Sequence, residues 1–117
     1  MQKLADQKCV PCEGGIPPMN EADEEKYLSE TKYWILDRSK VHKLHRNFEF
    51  EDFLEAMQFV NKVADLAENE GHHPDFHIYW NKVNLELYTH AVKGLSLNDF
   101  ILASKINRIL GDFKSQL

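Results

Sequence analysis

The alternation of hydrophobic and polar positions along the chain predicts three helices and four strands. The first helix is expected to begin after Asn20, a good N-cap residue, because residues 21–25 supply acidic side chains that favour the positive end of the helix dipole. It is expected to end near residues 29–32. Two β-prone runs follow, over residues 33–36 and 41–50, and the polar residues between them predict a hairpin.

A second helix is predicted from hydrophobic residues that recur at intervals of three and four. The residues expected on its buried face are Phe53, Met57, Val60, Ala64 and Ala67. Gly71 is the expected end of this helix, because glycine adopts the left-handed conformation of a C-terminal cap without strain.

Two more strands and a third helix complete the pattern. The strands are predicted over residues 77–80 and 83–89, and the helix from Leu97 towards Leu110, with Ser96 as its cap. The residues expected on the buried stripe of this helix are Phe100, Ala103, Ile106 and Leu110. The order α-β-β-α-β-β-α predicts an α+β fold, in which a four-stranded antiparallel sheet carries helices packed on one face.

The composition indicates one small domain. The chain has 117 residues, of which 43% are hydrophobic, so its core is modest and association between copies would add to it. We expect the domain over residues 20–117, after a flexible N-terminal tail over residues 1–19. The net charge of −5 argues against a nucleic-acid-binding surface. No apolar run is long enough to span a bilayer and the first residues lack a secretory h-region, so the sequence predicts a soluble cytoplasmic protein.

The only cysteines, Cys9 and Cys12, form a CxxC motif within the expected tail. Such a motif serves as a redox pair or as half of a zinc site, but zinc needs about four ligands and no second pair lies nearby. We therefore expect a reduced pair in a mobile tail, ahead of a Gly- and Pro-rich linker over residues 14–18.

The candidate chemistry lies in clustered histidines. His72 and His73 are adjacent and precede Pro74, and His90 follows at the end of the last predicted strand. Imidazole both gives and takes a proton near neutral pH, so such a cluster indicates proton transfer or metal binding. A tandem pair fixed by proline is a poor way to fill a core.

Several short motifs around these histidines resemble those of the pterin-4a-carbinolamine dehydratases. The motifs are Ala67-Glu68, His72-His73-Pro74, Phe76, Trp80-Asn81-Lys82-Val83, Thr89-His90, Gly94-Leu95-Ser96 and Asp99. The resemblance spans roughly residues 20–110 and needs many fixed spacings at once, which makes it specific. It implies the same α+β architecture and a homodimer or homotetramer.

The resemblance also implies a reaction. A 4a-hydroxytetrahydrobiopterin would lose water to give the quinonoid dihydropterin, without metal or other cofactor, because the pterin is the substrate. The product would be recycled for aromatic amino acid hydroxylases, most often phenylalanine hydroxylase. The family implies two alternatives: a protein-interaction or transcriptional-cofactor module on the same fold, or a role in molybdopterin metabolism.

Candidate site residues follow from the cluster and the resemblance together. We expect His72, His73 and His90 to be catalytic, with His72 and His90 at the leaving hydroxyl and His73 binding the pterin and assisting the base chemistry. The residues expected to bind substrate are Pro74, Phe76, Thr89, Ala91 and Asp99, with Glu68 supporting the histidines from behind. Aromatic residues such as Phe76 and Trp80 offer a stacking surface, although in strands they more often belong to the core.

Other roles compete for several of these residues. Asp99 also fits a capping box with Ser96, so helix capping and the orientation of an imidazole compete for one carboxylate. A three-histidine metal site is a weaker hypothesis, because adjacent histidines rarely converge on one ion. The remaining histidines, His42, His45 and His77, have no such neighbours and are left outside the site.

Overall fold

Four antiparallel strands and three helices follow one another in the predicted order. A computed structural model describes residues 3–11 and 16–115. The elements are α1 (Glu21–Leu28), β1 (Ile35–Asp37), β2 (Lys43–Glu49), α2 (Phe53–Glu70), β3 (Asp75–Tyr79), β4 (Lys82–Leu87) and α3 (Leu97–Ser115). Short 3₁₀ turns lie at Leu4–Asp6 and His90–Val92. No helix in this described part combines the length and apolar character that crossing a membrane requires.

The strands form one sheet with the order β1-β2-β4-β3, and every neighbouring pair is antiparallel. Side chains alternate along the strands, so one face is apolar and the other polar. The buried residues of the apolar face are Leu44, Phe48, Val83, Leu85 and Leu87. Helices α2 and α3 cover this face and share the core with it. The predicted α+β architecture, with helices on one face of the sheet, is confirmed.

The buried face of α2 differs from the predicted one. Its buried residues are Ala56, Phe59, Val60, Val63 and Ala67, whereas Phe53 keeps 49% of its surface exposed. Both sets have helical spacing and share two members. The ring of Phe59 decides between them, because it packs 4.9 Å from the ring of Phe48 and 5.1 Å from that of Phe50. The face is therefore set by aromatic packing rather than by periodicity alone.

Both ends of α2 follow local sequence rules. Asp52 caps the N-terminus by accepting a hydrogen bond from the Glu55 N–H at 2.9 Å. Gly71 adopts the left-handed conformation, with φ 66°, and its N–H donates to the Ala67 carbonyl at 2.9 Å. The predicted glycine stop is confirmed, and it places His72 directly after the helix.

Two strand boundaries move because aromatic residues adopt left-handed backbone conformations. Tyr33 has φ 74°, so β1 begins at Ile35 rather than at residue 33. Trp80 has φ 51° and lies in the turn between β3 and β4, not in a strand as expected. At its other end, strand β3 starts at Asp75, two residues before its predicted beginning.

Residues 3–11 pack against the helices, in contrast to the mobile tail expected from the sequence. Leu4 and Cys9 are buried members of the core. After the undescribed residues 12–15, Pro18 lies so close to Gly94 that a Cβ on the glycine would approach it to 2.6 Å. The physical reason for the docking is burial of these apolar side chains in a domain with a modest core. Cys12 and the start of the predicted linker fall outside the described residues.

His42 lies in the loop before β2, not in the strand predicted over residues 41–50, and contacts a buried carboxyl group. Its Nδ1 lies 2.8 Å from Glu24 Oε2, and the guanidinium of Arg38 donates to Glu24 Oε1 at 2.9 Å. The Glu24 side chain is fully buried. Because a buried carboxylate is tolerated only when its oxygens are bonded, this cluster fixes α1 to the loop between β1 and β2.

Candidate active site

A cleft of about 350 Å³ opens where α2, β3 and β4 meet. Because β3 and β4 are antiparallel, the start of β3 lies beside the end of β4, with Asp75 paired to Glu86. This pairing brings the chain after α2 against the chain after β4. The residues that line the cleft are Val10, Pro11, Gly71, His72, His73, Pro74, Asp75, Tyr88, Thr89, His90, Ala91 and Asn98.

A buried carboxylate anchors His72 at the base of the cleft. His72 Nε2 lies 2.6 Å from Asp99 Oδ1, and Asp99 is fully buried. The second oxygen, Oδ2, accepts hydrogen bonds from the Thr89 hydroxyl at 2.8 Å and from the Ser96 backbone N–H at 2.9 Å. The Ser96 hydroxyl lies 2.7 Å from Thr89 Oγ1.

The two roles considered for Asp99 use different oxygens. Oδ2 bonds the backbone N–H of Ser96, which is the capping contact at the start of α3, while Oδ1 faces His72. The sequence suggested that capping and imidazole contact compete for Asp99, but each role uses a different oxygen, so both are filled. Since a carboxylate only accepts, Nε2 carries the proton in this contact and a neutral His72 keeps Nδ1 as its proton acceptor.

His73 and His90 are more exposed than His72. His73 Nε2 lies 2.9 Å from Glu68 Oε1, and the two side chains keep 56% and 79% of their surfaces exposed. A polar contact this exposed orients the ring but adds little stability. His90 is exposed on the short turn after β4, and its ring packs 4.2 Å from that of Tyr88.

The structure brings most of the predicted site residues to the cleft. Pro74, Thr89 and Ala91 line it together with the three histidines. Asp99 lies behind His72, so it contacts the imidazole rather than the open cleft.

Phe76 and Trp80 lie away from the cleft. Phe76 pairs with Leu85 on the apolar face of the sheet and packs against the core. Trp80 lies at the opposite end of β3 from Pro74. The alternative of core membership holds for Phe76, whereas Trp80 keeps 64% of its surface exposed and lies in neither the core nor the cleft.

The remaining histidines lie outside the cleft, as expected. His77 Nε2 is 2.6 Å from Glu86 Oε1 on the polar face of the sheet, and His45 lies on the same face opposite Glu86. Within the described residues, no group of three or more His, Cys, Asp or Glu side chains is arranged to hold a metal ion.

Sequence reasoning missed several residues of the cleft wall. Tyr88 and Asp75 each lie next to a predicted site residue in the sequence, and that adjacency was the available signal. Asn98 lies beside Asp99 in the first turn of α3. Val10 and Pro11 come from the N-terminal segment, more than 60 positions away from the histidines, and no local pattern connects the two.

Comparison with known proteins identifies one family of relatives. The profile of the family described as pterin 4 alpha carbinolamine dehydratase matches residues 17–109. A provisionally named pterin-4-alpha-carbinolamine dehydratase of Rickettsia bellii (strain OSU 85-389) is 46% identical over 105 residues, covering 89% of this chain and 91% of that protein. A similarly named protein of Methylococcus capsulatus is 43% identical over 109 residues, covering 93% of this chain and 95% of its own.

Two solved structures share the fold. The structure of a transcriptional coactivator/pterin dehydratase from Brucella melitensis superposes with a TM-score of 0.73 at 29% identity, covering 79% of this chain and 97% of that one. A pterin dehydratase-like protein identified as a RuBisCO assembly factor in the alpha-carboxysome gives a TM-score of 0.58 at 22% identity, covering 67% and 89%. The latter likeness concerns the fold alone.

The fold and the histidine cleft thus define an α+β domain of the carbinolamine dehydratase type. The chain belongs to the pterin-4-alpha-carbinolamine dehydratase family. The resemblance seen in the histidine motifs is therefore confirmed.

The anchoring of three segments by Asp99 gives a first prediction. We expect Asp99→Ala to lower the free energy of unfolding by about 1–3 kcal/mol, because a helix cap is lost and the Thr89 hydroxyl loses its buried acceptor. Urea unfolding measures this change. Asp65→Ala, which removes an exposed carboxylate from α2, should stay within about 0.5 kcal/mol of the wild type. Equal stability of the two variants would show that the Asp99 network contributes nothing.

Proposed function

We propose that this chain catalyses the dehydration of a 4a-hydroxytetrahydrobiopterin to the quinonoid dihydropterin. The observation that carries the proposal is the anchored imidazole of His72, which shares one cleft with His73 and His90. Membership of the family supports a pterin-type ligand. The cleft volume is at the lower end of the range typical for small-molecule sites and suits a bicyclic ring system.

The reaction needs one proton donor and one proton acceptor. The C4a–O bond breaks as the leaving hydroxyl gains a proton, the N5 proton is removed, and the C4a–N5 double bond forms. No electrons are transferred, so the proposed reaction requires no redox cofactor, and the proton donor and acceptor are proposed to be histidines rather than a metal-bound water. Histidine suits both proton transfers near neutral pH.

In the proposed mechanism, His72 and His90 act at the leaving hydroxyl. Asp99 holds the His72 ring and favours its cationic form during proton transfer, as a buried carboxylate does for the histidine of a catalytic triad. Asp99 is thus proposed as a positioning residue, since it contacts His72 rather than the cleft.

His73 is proposed to bind the pterin and to assist in removing its proton. Glu68 supports this role because its Oε1 lies within hydrogen-bond distance of Nε2 of the His73 ring. Pro74, Thr89 and Ala91 are proposed to contact the substrate, because they line the same cleft. Phe76 was expected among them, but its packing against the core does not support direct contact.

The wider setting of the proposed reaction is the recycling of a pterin cofactor. A quinonoid dihydropterin would return to an aromatic amino acid hydroxylase such as phenylalanine hydroxylase, and both reactions would take place in the cytoplasm. Interaction roles form a second candidate, because the Brucella melitensis neighbour is named as a transcriptional coactivator as well as a pterin dehydratase. A role in molybdopterin metabolism is a further alternative on the same fold.

An activity assay tests the proposed function. We expect the purified chain to accelerate dehydration of a 4a-hydroxytetrahydropterin without added metal and in the presence of EDTA. His72→Gln should lower kcat/KM about a hundredfold or more, because it removes a general acid–base group. His45→Gln, on the polar face of the sheet, is the matched control and should keep wild-type kinetics. Loss of activity with EDTA, restored by metal, would contradict the acid–base mechanism, and absence of activity would favour the interaction role.

We also propose that the chain forms a homodimer or homotetramer. Hydrogen bonds of 2.9 Å between Phe50 and Asn81 bring the β3–β4 turn against the start of α2. The exposed hydrophobic residues in this region are Phe53, Leu54, Tyr79 and Trp80. Several large hydrophobic residues left exposed in one region of a domain are typical of a protein interface.

Light scattering measures the oligomeric state directly. We expect a mass of two or four times the 13.7 kDa of one chain. A single-chain mass at micromolar concentration would contradict the proposed assembly.

A further inference from the structure

We propose that residues 8–11 form a wall of the substrate cleft, and that Val10 and Pro11 contact the bound pterin. This inference rests on the proposed function, because it takes the occupant of the cleft to be a pterin. It assigns a binding role to a segment that precedes the domain boundary expected from the sequence. Val10 and Pro11 line the same cleft as the three histidines.

Asn98 holds this segment through hydrogen bonds to both the backbone N–H and the backbone carbonyl of Val10. The Val10 N–H donates to Asn98 Oδ1 at 2.9 Å, and Asn98 Nδ2 donates to the Val10 carbonyl at 2.6 Å. This arrangement imitates the pairing of one strand with another. Asn98 is buried in the first turn of α3, directly before Asp99, which bonds His72. The wall and the anchored histidine are thus fixed by adjacent residues of one helical turn.

Glu70 supplies a second anchor at the end of α2. Its Oε1 accepts the Cys9 N–H at 2.9 Å, and its Oε2 accepts a hydrogen bond from Lys105 Nζ at 3.0 Å. Burial raises the pKa of Glu70, but the Cys9 N–H and the Lys105 ammonium outweigh that effect and hold it below its usual value. The group therefore remains an ionised acceptor at neutral pH. Its contribution to folding is present above the ordinary carboxyl pKa and is lost as the pH falls through the lowered value.

Cys9 contributes packing rather than chemistry to this wall. It is buried, and its Sγ lies 3.6 Å from the Asn98 carbonyl. Burial, together with the nearby Glu70 carboxylate, raises the pKa of the Cys9 thiol to about 12, so the thiol stays protonated. The anchored residue next to it, Val10, lines the cleft and keeps 65% of its surface exposed.

The wall adds apolar surface to a cleft whose catalytic groups are polar. The imidazoles provide hydrogen-bonding groups, whereas Val10 and Pro11 offer hydrocarbon. A flat heterocycle needs both kinds of contact, because its edge carries donors and acceptors while its faces gain from apolar contact. Val10 is therefore assigned as a substrate-binding residue and Asn98 as the residue that positions it.

Steady-state kinetics and pterin binding on three full-length variants test this assignment. Val10→Ser should raise both KM and the Kd for 7,8-dihydropterin by about three- to tenfold, since apolar contact is lost, while kcat stays within about twofold. Asn98→Ala should raise KM at least as much, because the segment loses its clamp. Val41→Ser removes another exposed valine, which lies before β2 and outside the cleft, and should change neither quantity.

The outcomes separate this inference from the proposed function. If the wild type is active and folded Val10→Ser has the same KM and Kd as the wild type, the proposed binding role of residues 8–11 is wrong. The dehydratase proposal then remains intact. A wild type that neither dehydrates nor binds the pterin would overturn both. If Asn98→Ala does not fold, the Val10→Ser measurement decides alone, and a fall in kcat without a rise in KM or Kd would also contradict a binding role.

Discussion

The rest of the site depends on the hydrogen bonds of one fully buried carboxyl group, that of Asp99. Burial of such a group is costly unless its oxygens are bonded, and here Oδ1 faces His72 while Oδ2 accepts from Thr89 and Ser96. These partners belong to the chain after α2, the end of β4 and the start of α3. One side chain therefore joins three segments of the sequence and fixes the orientation of an imidazole at the same time.

A second carboxylate extends the same arrangement to the N-terminal segment. Glu70 ends α2 and binds both the Cys9 N–H and Lys105, while Asn98 holds the backbone of Val10. The cleft is consequently built from four separate parts of the chain, each tied to the end of a helix or a strand. Such rigid attachment suits proton-transfer chemistry, in which small displacements of a donor or acceptor lower the rate strongly.

The sequence allowed the element order, the architecture and the histidine pair to be predicted because each leaves a local signal. Gly71 illustrates this point, since a left-handed helix end favours glycine regardless of the surrounding fold. The buried face of α2 was predicted less well, because Phe53 and Phe59 both fit a helical stripe and only the position of Phe48 selects the latter. Tertiary packing overrode a pattern that was ambiguous by itself.

The parts of the site that were not predicted depend on contacts between distant residues. The docking of Val10 follows from one asparagine 88 positions away, and the division of Asp99 between cap and imidazole depends on the geometry of its two oxygens. Phe76 shows the converse, because its place in the motif suggested the cleft while its strand parity assigns it to the core. The residue types indicated the chemistry of the site, whereas the strand register decided which side chains line the cleft.

The pH–rate profile of Asp99→Asn, compared with that of the wild type, tests most directly whether a carboxylate-anchored histidine drives the proposed reaction. Asparagine keeps the size of the side chain but removes the charge that favours a cationic imidazole. We expect a kcat below that of the wild type. We also expect the limb of the profile that reports loss of the acid form to move to lower pH. A folded Asp99→Asn variant with the rate and the profile of the wild type would contradict it.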